Sequence, residues 1–320
     1  MRAVVYEQYG GPEKLGVREV PMPAPGRGEV LVEVVATSVN LSDWEHLRGT
    51  PAYARIGGLR RPRTTILGSD VAGLVAAVGE GATRFTVGDA VYGDTLAHGS
   101  GGFAEYVVVP ETALAPKPRQ LSFAEASALP QAGAIAAQAV ALAAAGSRML
   151  INGAGGGSGS LAIQLAVAEG VRVTAVDNAG KLDHIRALGA ERAIDYRSED
   201  FTRGGPYDLI VDLVAHRSIF AYRRALARGG RCVMVGGTAR TLLRMSTIGP
   251  LLGLLTGAHL GVLFVRQGPK QFEPVARRCA NGEIGVPIDR EFTLEEVPEA
   301  LAWHGEGKAI GKVVVAVRPV

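Results

Sequence analysis

Cysteine is nearly absent: the chain holds two, Cys232 and Cys279, in no C-x-x-C spacing. That excludes a thiolate-rich structural zinc site and any disulfide framework, so a reducing, cytoplasmic setting is expected. Charge imbalance is lacking too. With 34 Lys and Arg against 31 Asp and Glu the net charge is +3, and the basic residues are scattered rather than striped, so no nucleic-acid surface is expected. The basic triplet Arg60, Arg61 and Arg63 reads as a solvated loop. The opening MRAVVYEQYGGPEKL has neither the apolar core nor the cleavage site of a secretion signal. One long apolar stretch exists, Thr241 to Val265, but Pro250, four glycines, His259 and Arg244 make it a poor membrane span. What remains, 47% hydrophobic and 20% charged over 320 residues, is a soluble globular chain long enough for two domains.

The most informative stretch runs from Arg148 to Asp177. The apolar run RMLIN empties into Gly153-Ala154-Gly155-Gly156-Gly157-Ser158-Gly159, then an amphipathic segment and a second apolar run, VRVTAV. This reads as strand, glycine turn, helix, strand. A diphosphate rests on a helix N-terminus only where backbone N–H groups reach it unobstructed and the turn accepts positive φ, which is what glycines permit. The spacing is G-x-x-G-x-x-G (Gly153, Gly156, Gly159) rather than the common G-x-G-x-x-G, so the flanking pattern carries the reading. Asp177 ends the second strand 18 residues after Gly159, where a carboxylate accepts from the adenosine ribose hydroxyls.

Residues 1–118 show short apolar or alternating runs between Gly/Pro punctuation, the pattern of a small β-domain. From Ser122 the period lengthens: SFAEASALPQAGAIAAQAVALAAAG is Ala-rich and helical, opened by a capping box at Ser122 and Glu125. Strands and helices then alternate, which demands parallel pairing and right-handed crossovers. The expected fold class is therefore α/β: a β-domain of residues 1–118 and 286–320, and a doubly wound parallel sheet over residues 119–285. The tail, with IDREFTL and GKVVVAV around the helix VPEALAWHGEG, is expected to rejoin the first domain. Thr241 to Thr256 reads as a loop and helix covering an apolar substrate pocket, and HLGVLFV as an edge strand.

The runs AVVYEQYGGPEKL, PAPGRGEVLVEV, Asn40-Leu41-Ser42-Asp43-Trp44, LGSDVAGLVAAVGEGATRFTVGDAVYG, GGFAEYVVVP, ALPQAG, INGAGGGSGSLAIQLA and GKVVVAV together resemble the zinc-independent quinone oxidoreductase branch of the medium-chain dehydrogenase/reductase superfamily. The resemblance spans the chain in motif order. It implies a GroES-like catalytic domain, an inserted Rossmann domain, and NAD(P)H-dependent reduction of quinones, enones or similar activated double bonds. An alcohol/ketone oxidoreductase, a pathway-specific enoyl reductase and a non-catalytic nucleotide-binding protein are the alternatives the fold can host. It also implies a homodimer through the edge strand and a small lipophilic carbonyl or quinone substrate, with peripheral membrane contact as an option for the apolar segment.

Zinc-dependent relatives carry a cysteine where this chain has Asn40, and Gly-His-Glu where it has Gly68-Ser69-Asp70; neither Asn nor Ser is a usual zinc ligand, so no metal is expected. Asp94 and His98 form a conceivable ligand pair but read as loop chemistry. By family position Asn40 faces the nicotinamide ribose and the substrate carbonyl, or else ties two loops of the β-domain together. Asp43 is expected to cap a helix begun at Trp44. Tyr53 is the candidate donor to the substrate carbonyl, or a ring covering apolar surface. Gln131 lines the nicotinamide pocket, while Ile135 stands where many relatives carry threonine. Gly153, Gly156, Gly157, Ser158, Gly159, Gly236 and Gly237 complete the cofactor-binding set. On cofactor preference the residues oppose one another. Asp177 would repel a 2′-phosphate and favours NADH, whereas Lys181 and Tyr196 match positions that contact that phosphate in NADPH-using relatives; NADH is slightly favoured.

Overall fold

The computed structural model describes residues 1–56 and 58–318. The chain forms two compact units, Met1–Ala134 with Gln267–Val320, and Ile135–Arg266. In chain order the elements are β1 (Arg2–Val5), β2 (Gly16–Glu19), β3 (Glu29–Val39), α1 (Leu41–Arg48), β4 (Asp70–Val78), β5 (Ala90–Asp94), β6 (Tyr106–Pro110), β7 (Leu114–Pro116), α2 (Phe123–Ser127) and α3 (Pro130–Val140). There follow β8 (Arg148–Asn152), α4 (Gly157–Ala168), β9 (Arg172–Asp177), α5 (Leu182–Ala187), β10 (Arg192–Asp195), β11 (Tyr207–Asp212), α6 (Ile219–Ala225), β12 (Leu226–Met234), α7 (Ala239–Thr256) and β13 (His259–Val262). The tail supplies α8 (Pro269–Ala280), β14 (Ile288–Thr293), α9 (Val297–Gly305) and β15 (Lys312–Ala316).

The first unit is built on a sheet in the order β14-β15-β3-β4-β5-β7, with β6 also on β3. Strand β3 reads EVLVEVVATSV and is buried on both faces over most of its length, so it lacks the polar alternation of a half-solvated strand. Strand β15 pairs antiparallel with it, Val313 opposite Val39, which ties the tail to this unit. Val32, Val34, Phe103, Phe292 and Val315 pack its core. The Ala-rich stretch forms two helices, not one. The box at Ser122 caps α2 as expected, its hydroxyl accepting from the Glu125 N–H at 3.1 Å, and Pro130, which cannot donate to a preceding turn, opens α3 instead.

The expected domain bounds at 118/119 and 285/286 differ from the divisions of the compact units at 134/135 and 266/267. Helix α2 packs on β3 and β4, and α8 packs on β7, with its Phe272 meeting Tyr92 of β5 edge-on at 5.0 Å. A helical period says nothing about which sheet the helix covers, so these divisions are not readable from the helical pattern.

The second unit is a six-stranded parallel sheet in the order β10-β9-β8-β11-β12-β13. Numbered within the unit this is 3-2-1-4-5-6, the doubly wound order whose reversal point lies at β8 and β11. The stretch from Thr241 is one continuous helix, α7, rather than a loop and helix. Thr238 caps it by accepting the Thr241 N–H at 3.2 Å, and it ends at Gly257, φ +68°. Pro250 lies on its exposed side, where the lost donor is tolerated. Strand β13 ends the sheet as expected. Among the described residues no helix is long and apolar enough to cross a membrane.

Candidate functional site

In the second unit, strand β8 delivers the glycine turn. Gly153 has φ +82°, a conformation side chains resist. A Cβ on Gly159 would lie 2.4 Å from the Gly153 carbonyl oxygen, so glycine there lets α4 abut the turn. A Cβ on Gly156 would meet only that same oxygen, at 3.7 Å, and Gly156 is the N-cap of α4 with no side-chain cap. The amides of Gly157, Ser158 and Gly159 form the helix's first turn, which has no intrahelical acceptor. Open space, unused donors and the positive helix end fit a diphosphate.

Asp177 and Lys181 were expected to oppose one another; the structure pairs them. Lys181 Nζ lies 3.7 Å from Asp177 Oδ1, with both side chains buried. Asp177 Oδ2 accepts the Gly155 N–H at 2.9 Å and Oδ1 the Asn178 N–H at 2.8 Å. The carboxylate is thus tied to the glycine turn itself. Tyr196, half exposed, follows β10; its N–H donates to the Asp177 carbonyl at 3.1 Å and Arg197 lies over its ring at 5.6 Å. Gly236 and Gly237 follow β12 with φ of +84° and +115°, and a Cβ on Gly237 would strike Ala215 at 2.7 Å.

Sequence reasoning missed Asp212 at the end of β11. Its carboxylate is fully buried and accepts from Asn152 Nδ2 at 2.9 Å, from the N–H groups of Val214 and Ala215 at 2.9 and 2.7 Å, and from the Tyr222 hydroxyl. It fixes the β8 and β11 ends on either side of the reversal point. The signal was an aspartate closing an apolar run, YDLIVD, as Asp177 closes another.

In the first unit a buried polar centre gathers at the ends of β3, β4 and β15. Asn40 Nδ2 donates to Ser69 Oγ at 3.0 Å and to Asp70 Oδ2 at 2.9 Å, and its Oδ1 accepts from Lys312 Nζ at 2.6 Å. Both amide hydrogens are committed inside the unit. The Asn40 amide thus links the ends of β3, β4 and β15. Asp70 also accepts from Ser38 Oγ at 3.1 Å and the Gln131 N–H at 3.0 Å, and Lys312 Nζ lies 3.5 Å away. Asp43 does cap α1, but the helix begins at Leu41, three residues earlier than expected, because Asn40 takes the N-cap. Its Oδ2 accepts the Asn40 N–H at 2.9 Å and its Oδ1 the Gly68 N–H at 3.0 Å.

Lys312, invisible to sequence reasoning, is the cation of this centre. Burial pushes its ammonium below the ordinary lysine range, opposed by Asp70 and Asp43. Burial pushes Asp70 up, opposed by Lys312 and the Asn40 amide. The Asp43 carboxyl is pushed up to about 7 by burial and by Asp70, against its two backbone donors. Asp94 is likewise pushed up to about 7, by burial and by Asp70, against the Leu96 N–H. A carboxyl raised on folding holds its proton more tightly folded than unfolded. Its stabilisation is full below the ordinary value near 3.8 and lost as pH rises through about 7. Chemical denaturation followed from pH 4 to 8 is therefore expected to show stability falling by roughly 2–4 kcal/mol per group, and Asp94→Asn to flatten the slope. A slope unchanged in that variant would refute the assignment.

A zinc ion does not fit here. The groups in the Asn40 and Ser69 positions are an amide and a hydroxyl, and an ammonium already meets the carboxylate. Asp94 is buried and accepts the Leu96 N–H at 2.8 Å, whereas His98 is exposed, so they form no ligand pair. The Tyr53 hydroxyl donates to the Glu45 carboxylate at 3.0 and 3.1 Å, rather than standing open toward a substrate carbonyl; desolvation and Glu45 hold the phenol protonated. Gln131 is the exception among these polar groups. Ser42 Oγ donates to its Oε1 at 3.2 Å, leaving its buried Nε2 with no acceptor among the described residues. Arg60, Arg61 and Arg63 are exposed, as expected of a loop.

A β-unit with this polar centre, joined to a parallel sheet with an open glycine-built phosphate cradle, defines a dinucleotide-dependent oxidoreductase of the medium-chain type. Residues 26–119 match the alcohol dehydrogenase GroES-like domain and residues 188–315 the zinc-binding dehydrogenase domain. The chain is 31% identical to quinone-oxidoreductase QR1 of Triphysaria versicolor, over 98% of both chains. It is 32% identical to the NADPH-dependent alkenal/one oxidoreductase of Arabidopsis thaliana, over 98% of this chain and 79% of that one. A quinone oxidoreductase from Coxiella burnetii superposes with a TM-score of 0.88 over 99% of both chains at 27% identity. The chain belongs to the quinone oxidoreductase branch of the medium-chain dehydrogenase/reductase superfamily.

Proposed function

We infer that the protein is a metal-free, NAD(P)H-dependent reductase of quinones or α,β-unsaturated carbonyls. The observation that carries this reading is the Asn40–Lys312–Asp70 centre, a donor set unsuited to zinc where zinc-dependent relatives carry ligands. Oxidising an unactivated alcohol calls for a Lewis acid to stabilise an alkoxide, whereas an electron-poor carbon accepts hydride without one. NAD(P)H supplies that hydride when bound, and the protein supplies orientation and hydrogen bonds. The amides of Gly157, Ser158 and Gly159 hold the diphosphate, and Gly236 and Gly237 leave backbone open beside the cofactor. Asp177 and Lys181 meet the adenosine ribose, and Gln131 Nε2 donates to a carbonyl oxygen of cofactor or substrate. Quinone and alkenal/one oxidoreductases among the relatives support the substrate class.

The finer features follow the same reading. The Asp177–Lys181 pair supports use of both cofactors, because neither side chain acts alone. Two buried, unpaired cysteines suit a reducing cytoplasm. The outer edge of β13 suits pairing with a second copy into a homodimer. The test is oxidation of NADH and NADPH at 340 nm by purified protein, with chelator, against quinones, enones and aldehydes. Chelator-insensitive turnover of a quinone or enone is the expected result; tight cofactor binding with no turnover on any acceptor would move the protein to the nucleotide-binding class.

A further inference from the structure

The exposed face of α7 is anomalous for a water-facing helix. Leu243, Leu251, Leu254 and Leu255 are 65%, 63%, 85% and 85% exposed, while the opposite side buries Met245 and Gly249 against the sheet. Four leucines on one face of a single helix form an apolar patch that soluble proteins rarely leave uncovered. Arg240 and Arg244 share the exposed side near the helix N-terminus, so cations stand at one end of the leucine face.

The surrounding chain repeats the theme. From Leu213 to Arg266 there is no Asp or Glu, against eight arginines: Arg217, Arg223, Arg224, Arg228, Arg231, Arg240, Arg244 and Arg266. In a chain almost balanced overall, the segment that contains α7 carries charge of a single sign. A second copy set face to face here would bring Arg240 and Arg244 against their own equivalents with no acidic residue of the segment to pair them. A soluble polyanion would use the arginines and leave the leucines in water. An anionic bilayer satisfies both, taking leucines into the acyl boundary and arginines among the headgroups.

We propose that α7 docks the protein on anionic lipid surfaces, lying in the interface through Leu243, Leu251, Leu254 and Leu255 with Arg240 and Arg244 at the headgroups. This surface belongs to the second unit alone and stands whether or not the substrate assignment holds. The test is flotation of the purified protein with phosphatidylcholine vesicles containing phosphatidylglycerol, and with phosphatidylcholine alone. Binding is expected on the anionic vesicles only, weakened in about 0.5 M salt. Leu254→Ser with Leu255→Ser is expected to lower partition by about tenfold or more, and Arg240→Gln with Arg244→Gln by about ten- to thirtyfold. NADH binding and sedimentation velocity on each variant show that fold and assembly persist. No partition, or equal partition on both vesicle types, overturns the proposal. So does a leucine variant that changes the oligomeric state, which would assign the face to a contact with a second copy.

Discussion

Replacing Asp177 by asparagine raises the ratio of kcat/KM for NADPH over NADH by about ten- to a hundredfold. The carboxylate is neutralised by Lys181, 3.7 Å away, and held by the amides of Gly155 and Asn178. Asparagine keeps an oxygen for those amides and removes the charge, so the turn keeps its shape and Lys181 is released. Two unit charges about 4 Å apart interact by about 1 kcal/mol in water and about 4 kcal/mol near a protein surface. A 2′-phosphate carries nearly two charges. With solvent screening, the change is worth about 1.5–3 kcal/mol, which is the stated ratio. Lys181→Ala reverses it, leaving an unpaired carboxylate that repels the phosphate. Steady-state kinetics with each cofactor decide the matter. If neither substitution moves the ratio, the pair is structural and the 2′ group is read elsewhere, with Arg197 beside Tyr196 the next residue to test.

The paired geometry also explains why the sequence argued with itself over the cofactor. Asp177 and Lys181 stand four residues apart with a short helical turn between them, and a linear reading treats each as facing the ligand. Only in three dimensions does the turn fold the lysine back over the strand end. The glycine loop was legible because its function is a backbone property: φ at Gly153 and clearance at Gly159 leave glycine little alternative, so the letters report the shape. The parallel sheet was legible for a similar reason, since alternation of strand and helix admits few topologies.

The polar centre was not legible. Its members come from residues 38–43, 68–70, 94, 131 and 312, and their meeting depends on β15 pairing with β3, which no local pattern encodes. The same long-range pairing brings Asn40 a partner that its motif position does not announce: Lys312 arrives from the far end of the chain to donate to its oxygen. The contact of Tyr53 was illegible for want of the same kind of information, because Glu45, on the preceding helix, accepts from its hydroxyl.

Lys312→Met is expected to be the most destabilising single substitution in the first unit, by about 3–5 kcal/mol, because it strands a buried carboxylate without its cation. Methionine matches the length of the apolar stem, so packing loss is small and the missing charge dominates. Asp70 keeps donors from Ser38, Asn40 and Gln131, but hydrogen bonds alone do not replace the ammonium 3.5 Å away. The carboxyl can instead take up a proton, and that makes the penalty depend on pH. It is largest at pH 8, where ionisation is forced, and shrinks toward pH 5, where protonation relieves it. A packing defect would cost the same at both. The second arm is Asp70→Asn with Lys312→Met, which removes both charges and is expected to recover more than half of the loss, since a neutral pair leaves no uncompensated ion. Denaturant titration of the three variants at both pH values separates the outcomes. A loss under about 1 kcal/mol for Lys312→Met, or one indifferent to pH and to Asp70, would mean that the lysine is not the cation on which this centre depends.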